Sequence, residues 1–252
     1  MSEFVGIIPA AGKATRLPGL QGSKEVIPVC ALGIANPTHD QARPVCRHLM
    51  DAMLSAGIRR QVMVLGEGKS DIPKALANAD DRAADCAYVV ITDSPGVPWT
   101  IDATRSWTRG FNVAFGFPDI LTTQPDLFIR LRDKLIATDL DVVLGVFPTD
   151  QGRNADVVSL TREGLVTQIT PKPPNVGAAQ VWIAAVWRPS FSEYLHEYLA
   201  RTEPTIGGGR ELYIGDIINR SIGELHVGAI EFPLGRFLDI GTPSNLQLVR
   251  PS

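Results

Sequence analysis

The first half of the chain alternates short, almost wholly apolar runs with segments whose apolar residues recur every three or four positions. Residues 4–9, Phe-Val-Gly-Ile-Ile-Pro, form a run of the first kind. Such a run predicts a strand covered on both faces, as in a parallel sheet. Residues 44–56 are of the second kind, with Val45, Leu49, Ala52, Met53 and Ala56 at helical spacing and Gly57 at the expected helix stop. Further strands are expected at 61–65, 87–91 and 112–115. A short helix capped by Ser70 or Asp71 runs to Ala77, and a longer one spans 100–109, closed by Gly110. Strands and helices alternating at this pace predict βαβ units and a parallel sheet with helices on both sides.

The second half has a different rhythm. Strand patterns at 140–147, 155–160, 165–170 and 180–187 follow one another, with the turn Thr161-Arg162-Glu163-Gly164 between two of them. Helices are expected at 189–200 and 211–222, strands near 226–232 and 237–239, and a short helix at 243–249. No linker is visible. The expectation is therefore one mixed α/β domain over 1–252, its first half (1–120) followed by a β-rich second half (121–252).

Composition narrows the function. The 252 residues are 44% hydrophobic, enough for a sizeable core. A formal net charge of −3 gives no broad basic surface for nucleic acid. The three cysteines, Cys30, Cys46 and Cys86, are odd in number and lie at no metal-ligand spacing, which argues against a disulfide framework or zinc knuckle. The longest strongly apolar run, 181–187, is far too short to cross a bilayer. The N-terminus passes from Met1-Ser2-Glu3 directly into an apolar strand, without the basic and long apolar stretches of a secretory signal. The expected location is cytoplasmic.

Candidate chemistry begins directly after the first strand, in Ile8-Pro9-Ala10-Ala11-Gly12-Lys13-Ala14-Thr15-Arg16-Leu17. Small residues let a backbone approach a ligand, and exposed N–H groups cradle phosphate oxygens. Arg16 adds a planar donor fork, and Lys24 follows eight residues later in Ser23-Lys24-Glu25-Val26-Ile27-Pro28-Val29. The segment is neither a Walker loop nor a dinucleotide-binding Gly-x-Gly-x-x-Gly. Its context alone leaves a phosphate loop and an ordinary surface loop equally open. Asp119 stands just past the 112–115 strand, where open α/β sheets bind ligands, although a turn or cap role is the competing reading.

These segments resemble the sugar-nucleotide pyrophosphorylases. Residues 8–17 and 23–29 resemble that family's Gly-x-Gly-Thr-Arg-Leu and Pro/Ser-Lys-x-Leu-x-Pro-Val. Ser23-Lys24 is most similar to the form in glucose-1-phosphate thymidylyltransferases, and residues 8–12 to that of the uridylyltransferases. Ala14 replaces a usual glycine, and the stretch from Arg16 to Lys24 is shortened. Phe237-Leu238-Asp239-Ile240-Gly241-Thr242-Pro243 resembles the family's closing Trp/Tyr-x-Asp-x-Gly-Thr-Pro, and Gln168-Ile169-Thr170-Pro171-Lys172-Pro173 its Glu-Lys-Pro element, with Pro171 in place of the glutamate.

The resemblance implies a Rossmann-like, open, mostly parallel sheet with helices on both faces and a β-rich sugar-binding subdomain. It implies a nucleotidyltransferase joining a sugar 1-phosphate to a nucleoside triphosphate, dTTP or UTP in first place, with release of pyrophosphate. The catalytic cations it implies are Arg16, Lys24 and Lys172. Mg²⁺ would be held by Asp119 and Asp239 with the nucleotide phosphates. Ala10, Ala11, Gly12, Thr15, Thr92 and Gly96 would line the nucleotide, and Gly145, Trp182 and Glu211 the sugar phosphate. A core role beside Trp187 competes for Trp182, helix capping for Glu211 and Asp216, and plain solvation for Lys172. Neither nucleic acid nor membrane is an implied partner, and a homo-oligomer is left open. A cytidylyltransferase acting on a phosphate such as phosphocholine, a non-catalytic nucleotide-sugar binder, and a glycosyltransferase of similar sheet topology are the alternatives.

Overall fold

The computed structural model describes residues 3–12, 19–33, 38–77, 85–150, 152, 155–174, 176–203 and 211–249. In chain order its elements begin with β1 (Phe4–Ala10), β2 (Pro28–Val29), β3 (Arg43–Pro44), α1 (Val45–Ser55), β4 (Arg60–Gly66), α2 (Asp71–Ala77) and β5 (Asp85–Ile91). Then come α3 (Val97–Asp102), α4 (Arg105–Thr108), β6 (Asn112–Gly116), β7 (Ile120–Thr122), α5 (Leu127–Ala137) and β8 (Val142–Thr149). The remaining elements are β9 (Asp156–Leu160), β10 (Val166–Pro171), β11 (Ala179–Trp187), α6 (Pro189–Ala200), α7 (Ile214–Ser221), β12 (Val227–Glu231), β13 (Phe237–Asp239) and α8 (Pro243–Gln247).

Nine strands form one sheet in the order β10-β9-β11-β6-β1-β4-β5, with β8 and β12 continuing beyond β11. The β6-β1-β4-β5 half is parallel throughout, as its unbroken apolar runs predict. The second half turns antiparallel at β11, which pairs β6 on one side and β8 on the other. The 161–164 turn joins β9 and β10 as a hairpin, with Gly164 at φ +80°. The fold is a Rossmann-like α/β sheet with helices on both faces and a β-rich extension.

Alternation along the strands feeds two cores. On one face Ile8, Met63, Ala114 and Val143 meet Leu49 and Met53 of α1 and Phe128 and Leu131 of α5. On the other, Ile7, Val113, Phe115 and Leu144 meet Phe191 and Leu195 of α6 and Ile214 and Ile217 of α7. Each fully buried side chain of this kind contributes about 1.5–3 kcal/mol by leaving water. A third, smaller cluster joins Ile27, Val29, Val45, Leu121, Ile240, Leu246 and Val249 beside the main sheet.

Three details depart from the pattern reading. The helix expected at 100–109 begins earlier, at Val97, and breaks into α3 and α4. At the break Thr104 is fully buried and its hydroxyl donates to the Ile101 carbonyl at 2.7 Å, a local bond that competes with the helical ladder. The helix expected from 211 starts at Ile214, because the Asp216 carboxylate accepts from the Tyr213 N–H (2.9 Å) and caps the turn there. Residues 120–137, to which the pattern assigned no element, form β7 and α5.

Candidate functional site

A cavity of about 1640 Å³ opens at the C-terminal ends of β1, β4 and β5, where open α/β sheets present their ligands. Ala11 and Gly12 form part of its wall as the chain leaves β1. Gly66, at the end of β4, lies against them: a Cβ added there would press within 2.9 Å of the Ala11 carbonyl oxygen. Thr92 and Gly96, after β5, also line the cavity, and the loop between them is internally bonded. The Ser94 hydroxyl donates to the Gly96 carbonyl at 2.7 Å and sits 2.7 Å from the Thr100 hydroxyl. Ala10 is fully buried in the core behind this wall. Arg16 and Thr15 lie outside the described residues.

Lys24 opens a three-residue 3-10 turn, Lys24–Val26. Its Nζ lies 2.5 Å from Asp119 Oδ2, in a pair whose side chains are only 16% and 10% exposed. Burial disfavours the ammonium, but the charge and hydrogen bond of Asp119, with the charges of Glu25 and Asp239, outweigh it and raise the Lys24 pKa. Asp119 reaches this point because the chain turns after β6, the Ile120 N–H donating to the Phe117 carbonyl at 3.2 Å. Phe117-Pro118, between β6 and Asp119, thus lie in a turn, and Phe117 itself lines the cavity, edge-on to Phe115 at 5.0 Å.

Asp239 arrives from the opposite direction. β13 pairs antiparallel with β7, setting Asp239 against Ile120, and the Ile240 N–H donates to the Asp119 carbonyl at 3.0 Å. The residues that follow explain why this motif needs its order. The Gly241 N–H donates to Asp239 Oδ1 (2.7 Å), Thr242 caps α8, Pro243 occupies its first turn, and the Asn245 side chain donates to the Asp239 carbonyl (2.7 Å). A glycine, a cap and a proline thereby fix one carboxylate. The two aspartates, some 120 residues apart in sequence, face the same ammonium.

Elsewhere on the wall, Lys172 follows β10 with a left-handed backbone, φ +43°. That conformation costs a non-glycine residue about 1–3 kcal/mol. Its N–H donates to the Ala155 carbonyl (3.2 Å), and its Nζ sits 3.7 Å from the centroid of the Tyr213 ring, a cation–π contact. Glu211 lies close to Gly96, where a Cβ would come within 3.5 Å of Glu211 Oε1. Trp182 lines the cavity at 4% exposure, packed against the rings of both Phe115 and Phe117, and its Nε1–H has no hydrogen-bond partner among the described residues. It belongs both to the core and to the wall. Gly145 is buried in β8 beneath α5, where a Cβ would meet Leu127 Cδ1 at 2.8 Å, and stands outside the cavity lining.

Sequence reasoning passed over Tyr213, Asp156 and Lys69, all on the wall. Tyr213 lies between Glu211 and Asp216, two residues already singled out, but nothing in the sequence signals its contact with Lys172. The Gly66-Glu67-Gly68-Lys69 run after a strand was a usable signal for Lys69.

Among the described residues the lining holds eight carboxylates against three lysines, Lys24, Lys69 and Lys172. Among the described residues no group of three or more His, Cys, Asp or Glu forms a metal cage. Two converging aspartates instead suit Mg²⁺, which takes one or two protein carboxylates and completes its shell with phosphate and water. No helix of the described residues is long and apolar enough to cross a membrane.

No protein-family model matches the chain. No curated protein matches it either. Solved structures do. A provisionally named glucose-1-phosphate thymidylyltransferase from Bacillus anthracis, in complex with sucrose, superposes with a TM-score of 0.81 at 16% identity, over 97% of this chain and 93% of that one. HddC from Yersinia pseudotuberculosis superposes with a TM-score of 0.67 when complexed with GMP-PN and 0.68 in a second structure. Both HddC matches are at 14% identity, over 98% of this chain and 97% of the other. This chain therefore shares the fold of these two proteins over nearly its whole length.

Proposed function

We propose that the chain is a nucleotidyltransferase that joins a sugar 1-phosphate to a nucleoside triphosphate, dTTP or UTP in first place, giving a nucleotide-sugar and pyrophosphate. The observation that carries this reading is the convergence of Lys24, Asp119 and Asp239 at the mouth of the parallel sheet. A Rossmann-like fold alone would not suffice, since one fold hosts many functions. The names of the structural neighbours support the same chemistry.

In this reading residues 1–120 hold the nucleotide and residues 121–252 the sugar phosphate. The Ala11–Gly12 backbone faces the triphosphate, and Thr92 and Gly96 the base; the part assigned to Arg16 is charge stabilisation on the same phosphates. Lys24 stabilises charge on the α-phosphoryl group and the leaving pyrophosphate, while Lys172 orients the attacking phosphate. No covalent intermediate is required, because attack is in line and direct. Catalysis rests on positioning and charge neutralisation. Mg²⁺ held by Asp119 and Asp239 would supply a further positive charge to the phosphates. Lys24, leaning on Asp119, turns toward the phosphates when they enter. Trp182 and Glu211 bound the sugar side.

The test is a matrix of nucleoside triphosphates against sugar 1-phosphates with Mg²⁺, scored by pyrophosphate release, with CTP and phosphocholine as one comparison pair. Turnover of dTTP or UTP with a sugar 1-phosphate is expected. Tight nucleotide binding without pyrophosphate release from any pair would make the protein a binder and refute the proposal.

A further inference from the structure

Lys24 lies on a short 3-10 turn rather than a long helix or strand, so its side chain can be no better placed than the backbone that carries it. Both neighbours of Lys24 are gripped by one external segment, residues 69–71, where the loop after β4 enters α2. On one side, Asp71 takes Ser23 with both oxygens, the Ser23 N–H donating to Oδ2 and its hydroxyl to Oδ1, each at 2.7 Å. On the other, the Lys69 ammonium donates to both oxygens of Glu25 at 3.0 and 2.9 Å. Ser23 is 6% exposed and Glu25 fully buried. Gly22 fits the same grip: its φ is +87°, and a Cβ there would stand 2.9 Å from Asp71 Oδ2.

We infer that Lys69 and Asp71 are positioning residues that hold Lys24 at the reacting phosphates from both sides, through Glu25 and Ser23. The inference rests on the proposed role of Lys24. A buried ion pair is a poor source of net stability, because desolvation offsets most of its attraction, yet it fixes geometry well when both carboxylate oxygens are engaged. Lys69 also lines the cavity, so the competing role is a direct contact with the nucleotide. Its bidentate engagement with Glu25 favours positioning.

The two roles separate kinetically. Using the pair of dTTP or UTP with the sugar 1-phosphate that releases most pyrophosphate, kcat and both KM values are measured for Lys69→Met, Lys69→Arg and Ser23→Ala. Lys24→Ala is the reference, and folding is checked by thermal melts. Lys69→Met is expected to lower kcat roughly ten- to hundredfold with both KM values within about threefold, as for a misplaced transition-state contact. Lys69→Arg restores kcat to within about fivefold of wild type, since a guanidinium fork also spans two carboxylate oxygens. Ser23→Ala lowers kcat about three- to tenfold without moving KM. Should Lys69→Met not fold, Lys69→Arg and Ser23→Ala decide the matter by the same figures. Unchanged kcat in Lys69→Met, or a large rise in nucleotide KM at constant kcat, overturns the inference, as does Lys69→Arg no better than Lys69→Met. Near-normal turnover in Lys24→Ala sinks the underlying reading instead.

Discussion

Replacing Lys24 with Met separates what the ammonium does for the fold from what it does for the reaction. With its pair to Asp119 at 2.5 Å and 16% and 10% exposed, it lies well below the surface regime, where ion pairs contribute about 0–1 kcal/mol. It also lies short of full burial, where losing one partner costs about 3–5 kcal/mol. A destabilisation of about 2 kcal/mol is therefore expected for Lys24→Met, most of it from leaving Asp119 near Asp239 without its cation. Asp119→Asn in the Lys24→Met background removes that stranded charge and is expected to recover about 1 kcal/mol. The cycle is closed with Asp119→Asn alone, all four proteins being unfolded in urea and read by far-UV circular dichroism. Activity should follow a different rule. Lys24→Met loses about 10²–10³ in kcat, and the restabilised double variant stays as slow or slower. A coupling near zero would show that the pair does not form in solution. A double variant regaining turnover along with stability would show that Lys24 acts on the fold alone.

Gly22→Ala meets both a left-handed φ and the Asp71 carboxylate, so it should destabilise by about 1–3 kcal/mol, read as a fall in Tm of several degrees. Burial works against the Asp71 carboxylate, but its hydrogen bonds from Ser23 and from the α2 backbone outweigh this and hold its pKa below the usual range. Its stabilisation is therefore complete above the unfolded value, about 3.9, and is lost as pH falls through the lower folded value. The Tm gap between wild type and Asp71→Asn should accordingly be constant at neutral pH and close in strongly acidic buffer. Trp182→Phe removes a buried N–H that has no partner among the described residues. It should raise KM for the sugar phosphate about three- to tenfold while shifting Tm little, and an unchanged KM would remove Trp182 from the binding surface. Burial pushes the Cys46 thiol up to about 12, so it should resist alkylation at pH 8 in the folded protein and react once the chain is unfolded.

Periodicity read most of the sheet because parallel strands buried on both faces must be apolar throughout, as β1 and β6 are. It missed β7, a three-residue strand with no motif to mark it, whereas the equally short β13 stands at the head of the Asp-Ile-Gly-Thr-Pro segment. The break between α3 and α4 turns on one buried threonine bonding its own turn, which no apolar spacing reveals. At the site, Asp239 was legible because Asp-Ile-Gly-Thr-Pro is a local device: the glycine, cap and proline that fix the carboxylate lie within four residues of it. Lys24 was singled out by the motif, its strand-loop context alone leaving a surface loop equally open. The pairing of Lys69 with Glu25 and of Asp71 with Ser23 was not legible, because it joins segments some 45 residues apart that no local motif connects.

The small ribbon of β7 and β13 carries a consequence for how the protein is assembled. Its strands stand apart from the nine-stranded sheet, whose last member, β12, ends at Glu231. The ribbon and the third apolar cluster draw on residues 237–249, which also anchor the segment after Lys24 through the bond from the Cys30 N–H to the Val249 carbonyl. A ribosome that had delivered everything up to residue 236 would thus have supplied every strand of the principal scaffold without the strand that sets Asp239 against Ile120. The sheet is specified early along the chain, and this wall of the cavity is completed only when residues 237–249 fold back onto the beginning.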